Sequence, residues 1–111
     1  MANLSFDFNK IKRTFFNVRL KNGQDIQVKM PKKSTFEKVK ALMDLENDSE
    51  ADFLDVADTF AAVMAECINN NLNGVKVTAE ELADEYDIDE MIMFITGYFE
   101  SFVKSLNSNP N

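Results

Sequence analysis

Thr14 to Pro31 reads TFFNVRLKNGQDIQVKMP, and the fold turns on this stretch. Phe16, Val18 and Leu20 alternate with Asn17, Arg19 and Lys21. Past Asn22-Gly23, Ile26, Val28 and Met30 alternate with Gln27 and Lys29. Strand side chains alternate faces, and Asn-Gly tolerates the positive φ of a tight turn, so the pattern predicts a β-hairpin. Loop length then decides which residues oppose each other. A two-residue loop, Asn22-Gly23, pairs Lys21 with Gln24 and sets Leu20 against Asp25, placing apolar against polar along the ladder. A three-residue loop, Asn22-Gly23-Gln24, pairs Leu20 with Ile26, Val18 with Val28, Phe16 with Met30 and Lys21 with Asp25. The second register keeps one apolar face and is the one expected, with a bulge near Gly23. Phe15 breaks the alternation and is expected on the solvent side or against a partner. Pro31, which has no N–H to give a ladder, ends the second strand.

Helical periodicity takes over after the hairpin. Ser34-Thr35-Phe36-Glu37 has the pattern of a capping box and opens a helix to about Leu45, with Phe36, Val39, Leu42 and Met43 on one face. Asn47-Asp48-Ser49 reads as a turn. A second helix is expected over about Glu50 to Leu72, its apolar face carrying Phe53, Val56, Phe60, Met64, Cys67 and Ile68. Asn69-Asn70-Asn71 and Gly74 stop it. Val75-Lys76-Val77 is a connector with apolar anchors. Thr78-Ala79-Glu80-Glu81 is a second capping box and starts a short helix to about Tyr86. Asp87 caps a last helix, about Asp89 to Leu106, followed by a frayed tail from Ser105 to Asn111. On the N-terminal side, Leu4, Phe6 and Phe8 alternate briefly, as an extra strand or an arm. The fold class is therefore α+β: an N-terminal β-hairpin followed by a bundle of about four α-helices. The chain reads as a single domain, 1–111, with a basic hairpin region over about 14–31 and an acidic helical body over about 34–106.

Charge divides along the same line. Residues 1–40 hold ten of the twelve Lys/Arg and three acids, a net of +7; residues 41–111 hold two Lys and sixteen acids, a net of −14. Such a split points to two surfaces for two partners, or to ends that attract one another. Apolar residues make up 45% of the 111, enough for a core and against compositional disorder. The chain has one cysteine and no histidine. Cys67 has no internal disulfide partner and falls on an apolar helix face, the place of a small buried hydrophobe rather than a reactive thiol. No run approaches the roughly 18 apolar residues of a membrane span, and the start of the chain lacks the apolar core of a signal peptide. A soluble, intracellular protein is expected.

The acidic segments hold two clusters of carboxylates. Asp44, Glu46, Asp48, Asp52 and Asp55 fall at the first, third, fifth, ninth and twelfth positions of a calcium-loop frame, but Ser49 stands where that loop needs glycine and Asp55 where it needs a bidentate glutamate. Glu80, Glu81, Asp84, Glu85, Asp87, Asp89 and Glu90 form a second cluster, with nothing to bury them and split their pKa values for acid–base work. No metal, no cofactor and no catalytic residue is expected, and the protein reads as a non-enzyme. The basic stretch, interleaved with Phe15 and Phe16, resembles a single-strand nucleic-acid surface, but a pI near 4.5 disfavours that partner. Arg19, Lys21 and Lys29 are the candidate basic contact surface. The last helix carries an apolar arc wider than one face needs, with Gly97 in its middle, where a close helix crossing is expected. Met91, Ile95, Tyr98, Phe99 and Phe102 fit a core. Phe94, Tyr98, Phe102 and Met93, on the flanks of the arc, are the candidate partner interface.

The order of these parts is similar to a known family. Residues 51–102 read ADFLDVADTFAAVMAECINNNLNGVKVTAEELADEYDIDEMIMFITGYFESF. A basic hairpin, an amphipathic helix, an Asn/Gly/Lys link, a compact acidic helix and an apolar helix of the MIMFITGYFESF type follow in turn. Over about residues 14–104 this resembles the tail assembly chaperones of long-tailed phages and prophages of Gram-positive hosts. The resemblance implies a non-enzymatic role: binding the tape-measure protein, keeping it soluble and helping recruit tail-tube subunits. It also implies a place in the cytoplasm of the bacterial cell and absence from the mature virion. Many such proteins exist in a short form and a frameshifted longer form, and the polar ending here would suit the short one. A homo-oligomer is expected, through the apolar helix faces or through the basic hairpin of one copy meeting the acidic body of another. The readings from other classes are an acidic decoy that mimics nucleic acid and a small basic-arm nucleic-acid binder.

Overall fold

Gly23 sets the hairpin. In the computed structural model, which describes residues 5–10, 13–45 and 53–107, Gly23 has φ +90°. Its N–H donates to the Leu20 carbonyl at 2.9 Å, and the Leu20 N–H donates to the Gln24 carbonyl at 2.8 Å. The loop is thus Lys21-Asn22-Gly23, a turn followed by one residue in the left-handed region that glycine enters at little steric cost. Asn22 Oδ1 accepts the Gln24 N–H at 2.9 Å and stiffens it. Strands β1 (Phe15–Arg19) and β2 (Asp25–Lys29) pair antiparallel, with Phe16 opposite Val28, Val18 opposite Ile26 and Arg19 opposite Asp25. The three-residue loop with its bulge at Gly23 is present, but the loop and register expected from sequence are displaced: Phe16 meets Val28, not Met30, and Asp25 meets Arg19, not Lys21. Gly23 must be the last residue of such a loop, where φ is positive, rather than its centre. The shift is by two residues, so the apolar face is preserved.

A short segment completes the sheet on its β2 edge. Lys29 N–H donates to the Asn70 carbonyl at 2.8 Å, Leu72 N–H to the Gln27 carbonyl at 3.0 Å, and Asn71 bridges Val28. The β2 edge is covered in this way.

Four helices follow: α1 (Lys33–Leu45), α2 (Phe53–Asn69), α3 (Ala79–Glu85) and α4 (Ile88–Asn107). α1 begins earlier than its pattern predicts. Phe36 N–H donates to the Lys32 carbonyl at 2.9 Å, so Ser34 lies inside the first turn instead of capping it. α3 starts as predicted: Glu81 N–H donates to Thr78 Oγ1 and Thr78 N–H to Glu81 Oε1, each at 3.1 Å. α4 starts with a matching box, Asp87 N–H to Glu90 Oε1 and Glu90 N–H to Asp87 Oδ1, both 2.8 Å. Two reciprocal boxes satisfy N–H groups that a helix start otherwise leaves open. The turn at Asn47-Asp48-Ser49, the start of the second helix at Glu50, most of the calcium-loop frame, Leu4 and the last four residues lie outside the described residues. Phe8–Lys10 forms a single 3-10 turn rather than a strand.

α2 is central and touches α1, α3, α4 and β2; α4 touches α1, α2 and β1. The core combines Ile26 and Val28 of β2, Val39 and Leu42 of α1, Phe60, Met64, Cys67 and Ile68 of α2, and Met91, Ile95, Tyr98 and Phe102 of α4. Each large side chain buried there contributes about 1.5–3 kcal/mol of transfer free energy. Among the described residues no helix is long and apolar enough to cross a membrane.

Candidate interaction surface

The width of the apolar arc on α4 follows from its three neighbours. α2 packs on one side of it and brings Cys67 against Tyr98. On the α1 side, Phe36 stacks on Phe99 with ring centroids 5.2 Å apart, and Thr96 Oγ1 lies 3.9 Å from Met43 Sδ. β1 covers the third side through Phe16, whose ring centroid is 5.8 Å from Phe94, 5.9 Å from Tyr98 and 6.5 Å from Phe102. Tyr98 and Phe102 meet edge-on at 5.0 Å, a favoured aromatic geometry. Both have 0% of their surface accessible. They are core residues and cannot form a partner interface in this conformation; a Phe102→Asp change would test folding, not binding. Phe94 is partly buried against the same cluster. Met93 alone of the four interface candidates stands outside, 71% exposed. Gly97 faces the Phe16 ring: a Cβ built there would lie 3.6 Å from Phe16 Cζ. The close approach in mid-helix is thus to a strand side chain, not to a crossing helix.

The candidate basic residues divide in the same way. Arg19 Nε lies 2.7 Å from Asp25 Oδ1 across the hairpin, and both are exposed. Lys21, at the tip, reaches away from the hairpin: its Nζ lies 2.7 Å from Glu90 Oε1, donates to the Glu85 carbonyl at 2.7 Å and sits 4.9 Å from the Tyr86 ring centre. Its N–H donates to Tyr86 Oη at 3.1 Å. Lys21 therefore ties the hairpin tip to the start of α4 in the same chain. Lys29 carries no ion pair among the described residues.

Lys29 borders a shallow groove of about 440 Å³ at the open end of the hairpin. Phe15, Met30, Pro31 and Leu72 supply its apolar lining, and Arg13 and Lys32 join Lys29 at its edge. Phe15 is cross-strand from Lys29, on the face away from the core. Leu72 is 51% exposed. Sequence reasoning singled out Phe15 and Lys29 but missed Leu72, which the α2 pattern had claimed as its last helical residue. Phe6 and Phe8, each 71% exposed, pack edge-to-face on each other at 4.8 Å.

Cys67 is buried beside Tyr98. Burial pushes its thiol up to about 12, against a smaller pull from the Tyr98 hydroxyl. Tyr98 is pushed up in turn, first by burial, and its Oη has no hydrogen-bond partner of good geometry. A thiol so high in pKa is not a nucleophile at neutral pH. Among the described residues no cluster of carboxylate and thiol groups is arranged to hold a metal ion. No family model, curated protein or solved structure matches the chain.

Proposed function

We propose that this protein is a non-enzymatic assembly chaperone of a long phage tail, binding the tape-measure protein, keeping it soluble and recruiting tail-tube subunits, in the cytoplasm of the host cell and outside the finished virion. The reading rests on the resemblance of the element order over residues 14–104. The observation that carries it is the coexistence of a filled core with exposed apolar side chains, Met93, Leu72, Phe6 and Phe8, set among charges. A long helical tail protein exposes apolar stripes before assembly, and small adaptable apolar contacts cover such stripes. The acidic body adds mutual repulsion between loaded complexes. The acids also fit this role better than a nucleic-acid decoy, because Glu81 and Glu90 serve in capping boxes rather than in a continuous stripe.

Co-expression with a tape-measure protein of a long-tailed phage, followed by affinity capture, tests the reading. Co-purification and a larger soluble fraction of the tape-measure protein are expected. Capture of neither tape-measure nor tube protein at low salt overturns it, and a salt-sensitive shift of single-stranded DNA in its place points to the basic-arm reading.

A further inference from the structure

The groove at the open end of the hairpin and the outer strip of α4 are complementary. The groove is lined by both apolar and cationic side chains, and Arg13, Lys29 and Lys32 make no ion pair among the described residues. The strip of α4 left uncovered by α1, α2 and β1 carries Asp89, Met93 and Glu100, all exposed. Met93 lies between Asp89 and Glu100, with Lys104 one turn beyond Glu100, and neither acid is in an ion pair within the described residues. We propose that the groove takes the α4 strip of a second copy of this chain, with Met93 seated on Phe15 and Leu72 and with Asp89 and Glu100 facing Arg13, Lys29 and Lys32.

The choice of a second copy follows from charge. The basic edge of the groove needs an acidic amphipathic helix face, and this chain presents one. Among the described residues the attraction is not spent internally, because the cations that reach acids there are Arg19, Lys21 and Lys38, none of them at the groove. A thioether against an aromatic ring is a favourable contact that tolerates imperfect fit. The two surfaces differ, so the contact is heterologous: each added copy leaves one groove and one strip open, and the assembly grows until a ring closes. The contact uses Met93 and Leu72, so a second copy competes with a tail protein for these two side chains and leaves Phe6 and Phe8 free; self-association itself does not need a tail protein.

Sedimentation of the full chain tests it, over about 10 μM to 1 mM, the range of a weak contact. The average mass should rise past that of a dimer with concentration and fall as salt rises. Lys29→Glu with Lys32→Glu in one variant, and Asp89→Lys with Glu100→Lys in another, should each sediment as a monomer. An equimolar mixture of the two should associate again, because each reversed groove then meets a reversed strip. Met93→Ser, which leaves every charge in place, should weaken self-association about tenfold. Circular dichroism reports whether each variant is folded, and Met93→Ser decides the matter if a charge-reversed variant is not. A wild-type monomer at every concentration overturns the proposal. So does a folded variant that associates like wild type, or a mixture of folded variants that stays monomeric.

Discussion

Lys21 Nζ and Glu90 Oε1 lie 2.7 Å apart, and this contact joins the basic hairpin to the acidic helical body within one chain. Glu90 Oε1 also accepts the Asp87 N–H at 2.8 Å, so one carboxylate caps α4 and anchors the hairpin tip. Changing Lys21 to Met should lower the melting temperature modestly and loosen the tip. The loss should exceed that of Arg19→Met, because the Arg19–Asp25 pair spans only the hairpin itself. A double-mutant cycle of Lys21→Met with Glu90→Gln should show a coupling that shrinks with added salt, as expected for an exposed pair. Additive effects of the two changes would refute the link.

The ion pairs also set a pH window. Lys21 holds Glu90 below the ordinary carboxylate range through a direct hydrogen bond, helped by the Asp87 N–H. Arg19 does the same to Asp25, and Lys38, with Thr35, to Glu66. A carboxylate depressed in the folded state binds its proton more tightly in the unfolded chain. Its contribution is complete above the ordinary carboxylate pKa and is lost as pH falls through the folded value. Lys21 and Arg19 are raised by their partners, so their contribution is complete below their ordinary values and is lost as pH rises through the folded ones. Thermal melts should show a plateau around neutrality and a decline that begins near about pH 4. Glu66→Gln with Glu90→Gln should make that acid decline shallower; an unchanged slope would show that these pairs do not contribute.

Gly97→Ala should stabilise the protein. Glycine inside a helix costs about 1 kcal/mol relative to alanine, and the added Cβ would meet Phe16 Cζ at 3.6 Å, an ordinary contact. Chemical denaturation should give a gain approaching that amount. Gly97→Leu should lose stability instead, since a branched chain has to displace the Phe16 ring. A loss with Ala would mean that the strand and helix approach more closely than the described geometry.

Side-chain alternation made the hairpin and its apolar face legible, but alternation fixes only parity. Registers that pair Phe16 with Val28 or with Met30 bury the same residues, and only the φ of Gly23 separates them. The consequence is large for the candidate surface: the observed register gives Asp25 to Arg19 and frees Lys21 for Glu90. Capping boxes were legible where they stand free, as at Thr78 and Glu81. At Ser34 the pattern was present, but the helix starts one residue before it. The apolar arc of α4 showed in the sequence that more than one face is covered. It did not show that Phe16, from a strand some eighty residues earlier, supplies the third cover and takes Tyr98 and Phe102 out of reach of partners.

Asn71 carries more than its sequence reading as a helix stop. Its Oδ1 accepts the N–H groups of Asn73 at 2.7 Å and Val75 at 3.2 Å, and its Nδ2 donates to the carbonyls of Ile68 at 2.7 Å and Val75 at 2.8 Å. The amide thus ties the end of α2 to the connector and holds the segment that pairs with β2. Asn71→Ala should cost about 3 kcal/mol, since several part-buried backbone groups lose their partner at once. Asn71→Asp should also destabilise, because a carboxylate cannot donate to the two carbonyls. Hydrogen exchange at Val75 should rise in Asn71→Ala, whereas the carboxylate of Asn71→Asp still accepts that N–H; unchanged protection in Asn71→Ala would exclude this role.

Tyr98 and Cys67 give the last test. The Tyr98 hydroxyl is buried without a good hydrogen-bond partner, which costs about 1–3 kcal/mol relative to a solvated one. Tyr98→Phe keeps the ring against Phe16 and Phe102 and removes that cost, so it should leave stability unchanged or raise it. Denaturation that shows a loss of more than about 1 kcal/mol would mean that the hydroxyl has a working partner, with the Cys67 thiol the candidate. The same burial protects Cys67, whose thiol is pushed up to about 12. A maleimide or disulfide reagent should label Cys67 only at the rate of unfolding in the wild type. Labelling of the native protein faster than unfolding would show that the core around Cys67 and Tyr98 opens locally.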